Sequence, residues 1–326
     1  MNRIQMRTGA RLHFGLILGN PEDGWQFGGI GLMVQQPGWH VEVQRAAAAM
    51  DEVRASAEAT SRIVRVLAQL RETAKLPPLK IMVSSEIPFH TGLGGGTQLA
   101  IGIASACLWL CNGQRDLTAV ELAQKVGRSE RSAIGTFGFD HGGFLVDQGA
   151  TVTGNRVQRV SIPDAWKFVL IRPVAGQGMS GADEQSWFGA RPEMSSALIR
   201  ELSQLATQEL FTAVQNETFS RFAEGLELYG DTAGRFYARA QGDIFSSPVI
   251  RSVVAELRRV GIRGAAQSSW GPGICIPAES REHAEHIVSQ IPKRNAGAEL
   301  SVVISEAQNS GATLLTEALA PRKSLA

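Results

Sequence analysis

Apolar residues recur along this chain at two periods, every second position in some stretches and every third or fourth in others, and that alternation sets the expected elements. Ile4–Thr8 and Arg11–Leu18 read as short strands parted by Gly9, and Trp39–Gln44 alternates as a half-buried strand does. Between them lies a turn-rich stretch, Gly19–Gly31, with the turn dipeptides Asn20-Pro21 and Asp23-Gly24. From about Glu58 to Lys75, Ile63, Val64, Leu67 and Leu70 keep helical spacing until Pro77-Pro78 stops the run. Leu79–Val83 is a strand that leads through a glycine-rich loop into an apolar helix, Thr97–Cys111. Thr118 and Glu121 form a capping box for the next helix, and Gly127 closes it.

Phe137–Val157 reads as strands with glycine-rich turns, followed by a strand at Phe168–Arg172 and a mostly helical stretch from Glu193 to Ala240. Ser247-Pro248 opens a helix that Gly261 ends. Short strands at Ala265–Ser268 and Ile274–Pro277, a helix over Ser280–Gln290 and a strand at Leu300–Ile304 complete the pattern, with a loose tail expected after Gly311.

Composition narrows the class. A hydrophobic share of 44% and a charged share of 19% fit a globular protein, and 326 residues are enough for two lobes. A net charge of +1 gives no long-range pull toward nucleic acid or an anionic membrane, so any anion has to be captured locally. The three cysteines, Cys107, Cys111 and Cys275, lack zinc spacing and cannot close a disulfide set, which points to a reducing, cytoplasmic setting. No apolar run approaches the roughly 18 residues of a membrane span.

Candidate chemistry gathers in a few places. His90-Thr91-Gly92-Leu93-Gly94-Gly95-Gly96-Thr97-Gln98, after Pro88 and between strand and helix, has four glycines in five positions. Missing side chains and a helix N-terminus suit a phosphate; the alternative is a turn that only lets strand and helix pack closely. No lysine follows as in a Walker A loop, and the dinucleotide glycine spacing is absent. On this reading a bulky residue at Gly95 abolishes substrate binding and leaves the fold intact. Gln267-Ser268-Ser269-Trp270 sits in a turn, where its hydroxyls and indole could meet a phosphate and a ring, or only satisfy their own backbone. Arg11 and His13 share one face of a strand, a pairing that can hold an anion and titrate near neutrality, or be structural. Arg131 and Ser132 precede Asp140, which is a base, a metal ligand or simple turn chemistry. Gly176–Glu184 reads as a solvated loop, and His283 and His286 as surface residues.

Together these segments resemble a family. Pro88–Gln98 resembles the phosphate loop of the GHMP kinase superfamily. Arg11–Gly15, Gly28–Leu32, Gly142–Asp147 and Gln267–Pro272 resemble, in the same order, signatures of its 4-(β-D-ribofuranosyl)aminobenzene 5'-phosphate synthases. Gly95 and Gly96 replace the serine pair of the kinases, which weighs against nucleotide chemistry.

The resemblance implies a two-lobed α+β GHMP-kinase-like fold, with a ribosomal-protein-S5-like lobe over 1–160 and a ferredoxin-like lobe over 161–326. It implies condensation of phosphoribosyl pyrophosphate with 4-aminobenzoate in tetrahydromethanopterin biosynthesis, with Mg²⁺, no nucleotide cofactor and a homodimer. Gly92, Gly94, Gly95, Gly96 and Thr97 would cradle pyrophosphate, with His90, Thr91, Gln98, Arg131 and Ser132 nearby. Arg11 and His13 would hold a carboxylate or phosphate. Gln267, Ser268, Ser269 and Trp270 would line the ring side, and Asp140 would act as a metal ligand or acid–base group. An ATP-dependent small-molecule kinase and a non-catalytic phosphoribosyl-ligand binder are the alternatives.

Overall fold

The computed structural model describes residues 3–19, 27–128, 132–151, 154–179, 181–190, 192–295 and 297–317. The Asn20–Asp23 turns and Arg131 lie outside the described residues. The first half of the chain runs β1 (Arg3–Leu18), β2 (Phe27–Arg45), β3 (Glu52–Arg54), α1 (Ala57–Thr73), β4 (Leu79–Ser85), α2 (Gly95–Asn112), α3 (Ala119–Lys125), α4 (Ile134–His141), β5 (Phe144–Thr151) and β6 (Gly154–Val160). After β7 (Lys167–Pro173) and α5 (Ala182–Gly189) comes α6 (Ser196–Gln204), then a π-helical stretch over Leu205–Phe211 and α7 (Thr212–Gln215). The rest is α8 (Phe219–Gln241), α9 (Pro248–Arg259), β8 (Ala266–Gln267), β9 (Ile274–Ala278), α10 (Arg281–Ser289), β10 (Arg294–Asn295), β11 (Ala298–Glu306) and β12 (Thr313–Glu317).

Two sheets organise these elements. In the first, the order is β12-β1-β2-β4-β3, with β5 paired to β2 and β6 to β5; in the second it is β10-β11-β7-β9-β8. The chain passes from one to the other between Val160 and Lys167, and β12 then returns to pair with β1. The tail expected to be loose is therefore a strand as far as Glu317, because β1 offers it an open edge from Arg3 to Arg7. Gly9 does not split β1 either. It sits at a bulge between Gly9 and Ala10 that β2 pairs across.

Other differences have packing causes. The stretch expected as strands from Phe137 begins inside α4. Gly138 on that helix lets it press on Met33, where an added Cβ would lie 2.5 Å from the sulfur. Gly176–Glu184 is not all loop, since Asp183 and Glu184 open α5. By contrast, the Thr118–Glu121 capping box and the Ser247 cap with Pro248 inside the first turn form as read. Helix α2 is almost wholly apolar and packs on β1, β2 and α1, so its N-terminus is fixed by the largest core of the molecule.

Candidate active site

A second bulge in β1, between His13 and Leu16, shapes the site. Gly15 there has φ +125°, a conformation that side chains rarely allow. Two tyrosines of α8 hold the bulge open: Tyr229 donates its hydroxyl to the Gly15 carbonyl at 3.1 Å and Tyr237 to that of Leu16 at 2.9 Å. The turn between β8 and β9 then clasps the strand to the glycine loop. Ser268 Oγ accepts the His13 N–H at 3.0 Å and donates to the Gly92 carbonyl at 2.7 Å, while the Ser269 N–H donates to the His13 carbonyl at 2.6 Å.

The glycine loop divides into two halves. Its carbonyls face the protein: those of His90, Thr91, and Leu93 accept the N–H groups of Gly178, Gly273 and Arg11 at 2.8, 3.2 and 3.0 Å. Gly92 is needed for packing, because a Cβ there would lie 2.1 Å from the Ser268 carbonyl oxygen. From Gly94 onward the loop turns into helix α2. Gly94, at φ +67°, is the N-cap of α2 and supplies no capping side chain. The N–H groups of Gly95, Gly96 and Thr97 thus stand at the positive end of an 18-residue helix, in the first turn, where no intrahelical partner exists. Trp39 donates its indole N–H to the Gly95 carbonyl at 2.9 Å and steadies that turn. Gly95 itself is buried, with Ile87 3.0 Å from an added Cβ, so a bulky residue there would also strain the core rather than spare the fold.

A cavity of about 260 Å³ opens at this point, lined by Arg11, His13, Thr97, Ser132, Glu184 and Trp270 among others. A smaller one of about 180 Å³, with Gly96, Arg62 and Arg65 in its wall, adjoins it through Gly127 and Arg128. Arg11 runs beneath Gly94, donates through Nη1 to Ser269 Oγ at 3.0 Å, and keeps a buried Nε–H without a partner. Burial draws its pKa down to about 10, with the Glu184 charge pulling the other way, so the guanidinium remains cationic near neutrality.

His13 behaves differently from the expectation of a group titrating near neutrality. Burial, and then the Arg11 charge, push its pKa down to about 3, which leaves a neutral imidazole. The Gly15 N–H donates to Nδ1 at 3.4 Å, so the ring proton sits on Nε2 and is given to Ser132 Oγ at 3.2 Å. Ser132 in turn donates to Asp147 Oδ2 at 3.2 Å, and Asp147 also accepts the N–H groups of Ala133 and Gly149 at 2.8 and 3.0 Å. Asp147 anchors this chain, a role that residue reading did not give it. Its lone signal was its place at the end of Gly142–Asp147.

The remaining candidates scatter. Asp140 is not on the cavity wall; its carboxylate accepts the Ala119 N–H at 2.9 Å and caps α3. Gln98 is fully buried and braces Thr8 and the Gly135 carbonyl. Gln267 bonds Ser246, Gln241 and the Ser269 carbonyl, and Thr91 bonds the Pro88 carbonyl. His90 sits between Glu58, at 2.9 Å, and Arg62, at 3.2 Å. Trp270 does reach the cavity. It packs edge-on with Trp187 at 5.0 Å and with Tyr237 at 5.2 Å, and gives its indole N–H to Glu184 at 3.1 Å. Among the described residues no group of three or more His, Cys, Asp or Glu converges as a metal site, and Glu184 is the carboxylate on this wall. Of the described residues on this wall, Glu184 is the one that could contribute a carboxylate oxygen to a magnesium ion. Among the described residues no helix is long and apolar enough to cross a membrane.

Comparison with known proteins bears on the fold and the relatives of the chain. The model of the GHMP kinases N terminal domain matches residues 61–155, the segment that carries the glycine loop. Mevalonate pyrophosphate decarboxylase from Streptococcus pyogenes shares the fold, with a TM-score of 0.66 at 14% identity over 94% of this chain and 97% of that one. The chain has the two-lobed α+β fold of GHMP-kinase-like proteins.

Its relatives by sequence are synthases. The β-ribofuranosylphenol 5'-phosphate synthase of Methanothermobacter thermautotrophicus is 26% identical, over 82% of this chain and 87% of the relative. The synthase of the same name from Methanocaldococcus jannaschii is 22% identical, over 94% and 98%. The chain is an enzyme, similar over most of its length to these synthases.

Proposed function

We propose that the enzyme joins phosphoribosyl pyrophosphate to a para-substituted benzoate, 4-aminobenzoate or its 4-hydroxy counterpart. The products are a C-riboside 5'-phosphate, carbon dioxide and pyrophosphate, a step suited to tetrahydromethanopterin biosynthesis. The activity for which the relatives are named, that of a β-ribofuranosylphenol 5'-phosphate synthase, supports the reaction type. One observation carries the reading: a single cavity has Thr97 of the first turn of α2 and the side chain of Arg11 on one side, and the aromatic wall around Trp270 on the other.

The chemistry follows from that layout. The bond from ribose C1 to the diphosphate oxygen breaks, and pyrophosphate leaves with the electron pair toward the Gly95–Thr97 amides and Arg11. The ring carbon that bears the carboxylate forms the new bond to C1 with a π pair. The bond from that carbon to the carboxylate then breaks, its pair restores aromaticity, and carbon dioxide departs. The three bond changes balance without a net proton transfer, so the site needs orientation and charge rather than a nucleophile. Cys107 and Cys275 fit this; both are buried away from the cavity, and burial pushes their thiols far up. Mg²⁺ bound to the diphosphate would supply counter-charge to the leaving group.

The test is incubation of the protein with phosphoribosyl pyrophosphate, Mg²⁺ and carboxyl-labelled benzoate, without ATP. Labelled carbon dioxide and a product with the mass of the C-riboside phosphate are expected. No labelled gas, with ATP consumed on addition of an alcohol acceptor, would overturn the reading in favour of a kinase.

A further inference from the structure

The smaller cavity beside the glycine loop is a basic one. Arg62, Arg65 and Gln69 of α1 line it, with Gly96 at the start of α2 and Gly127 and Arg128 after α3. Among the described residues in its wall there is no carboxylate. Helical spacing explains the grouping. Positions 62, 65 and 69 fall along one edge of α1, beside the apolar stripe of Ile63, Val66, Leu67 and Leu70, and α1 packs on α2.

Arg62 is already set in place. Glu58 accepts from its Nε and Nη2 at 3.3 and 2.8 Å, and the guanidinium lies over the Phe89 ring, 4.4 Å from the centroid. Its Nη1 rests against the loop, where a Cβ added to Gly96 would lie 3.0 Å from it. The Arg62 charge is offset by Glu58; Arg65, exposed and one turn further along, adds a second. Gln69 brings its Nε2 to Gly127, 3.4 Å from where a Cβ there would stand.

The two cavities meet along a short seam. Gly127 and Arg128 line both, and one helical turn divides between them, with Gly96 in the smaller and Thr97 in the larger. A ligand with two anionic groups a few bonds apart can place one in each. Phosphoribosyl pyrophosphate has that build, with a diphosphate on C1 and a phosphate monoester on C5 at the other end of the ribose. C1 has to meet the ring beside Trp270 in the larger cavity, which leaves the C5 end to the smaller one.

Resting on the synthase reading, we propose that the smaller cavity is the subsite for the 5-phosphate of the ribosyl substrate. Arg62 and Arg65 are its guanidinium donors and Gln69 its neutral one. A guanidinium fork matches phosphate oxygens in pairs. The 5-phosphate takes no part in the bond changes at C1, so this contact acts alike on the ground and transition states and sets KM rather than kcat.

Arg65→Ala tests the subsite, because Arg65 is exposed and lies outside the buried stripe of α1. Calorimetric titrations with Mg²⁺ present throughout compare phosphoribosyl pyrophosphate, ribose 5-phosphate, pyrophosphate and ATP. The variant should bind the first two roughly tenfold more weakly, as expected for one lost charge-assisted contact, with pyrophosphate held to within about twofold. In turnover the KM for phosphoribosyl pyrophosphate should rise by the same factor, with kcat and the KM for the benzoate nearly unchanged.

Equal losses for ribose 5-phosphate and pyrophosphate would make Arg65 a source of general field and overturn the proposal. A loss confined to pyrophosphate would put the diphosphate in the smaller cavity, and unchanged affinities would remove Arg65 from the site; either result also overturns it. ATP binding that the substitution weakens, with ribose 5-phosphate unaffected, would give the pocket to a nucleotide instead. In all of these cases the synthase reading is judged separately, by labelled carbon dioxide from the wild type. A wild type that bound neither phosphoribosyl pyrophosphate nor ribose 5-phosphate would end both.

Discussion

The two ends of the cavity are made by opposite means. The end assigned above to the anion is backbone: the uncapped helix start at Gly94, the first turn as far as Thr97, and Arg11 threaded beneath Gly94. The aromatic end is side chain: Trp270, Tyr237 and Glu184, brought in by the β8–β9 turn, α8 and α5. The contrast teaches how each end fails. The first is destroyed by adding atoms and the second by removing them.

The largest effect should come from Gly94→Val. A Cβ there lies 2.8 Å from Arg11 Nε on a residue with φ +67°, so both the helix start and the guanidinium are displaced. A loss of kcat/KM on the order of 10³-fold is expected, as when preorganised donors are misaimed. A lower melting temperature should accompany it. Near-normal kcat/KM would show that the amide end is not where charge develops.

Arg11→Ala should cost about 10²-fold in kcat/KM through the loss of a buried charge-assisted contact. The KM for phosphoribosyl pyrophosphate should rise more than that for the benzoate. The reverse order would move Arg11 to the carboxylate of the ring.

The His13 chain makes a prediction in pH. Its folded pKa of about 3 lies below the ordinary 6.5, so the unfolded chain takes up the proton first. The His13 contribution is complete above pH 6.5 and is lost as pH falls toward 3, with a slope of up to about 1.4 kcal/mol per pH unit. Urea titrations of wild type and His13→Asn should converge across that window. Curves that remain parallel would mean that His13 is not held neutral.

The smallest effect is expected from Trp39→Phe, which removes the indole N–H from the Gly95 carbonyl. About 1 kcal/mol of stability should be lost, with KM nearly unchanged.

Much of this was legible in residues. The periodic helices, the capping box at Thr118 and the strand-loop-helix setting of Gly92–Gly96 follow from local rules, because their causes are local. What sequence missed depends on distant partners. Nothing near Gly311 shows that β1 has a free edge for Thr313–Glu317. Asp140 and Asp147 look alike along the chain, yet the fold turns one to a helix end and the other to Ser132 and His13. Ser268, read as a ligand group, has its hydroxyl consumed between two backbones, and the carboxylate that does reach the cavity came from a stretch read as solvated loop.

The central claim concerns the amides of Gly95, Gly96 and Thr97, and amide proton resonances of the labelled protein address it directly. Saturation with phosphoribosyl pyrophosphate should shift those three signals downfield together, along with the Arg11 Nε–H. Binding that saturates and leaves the three amides unmoved would contradict the account.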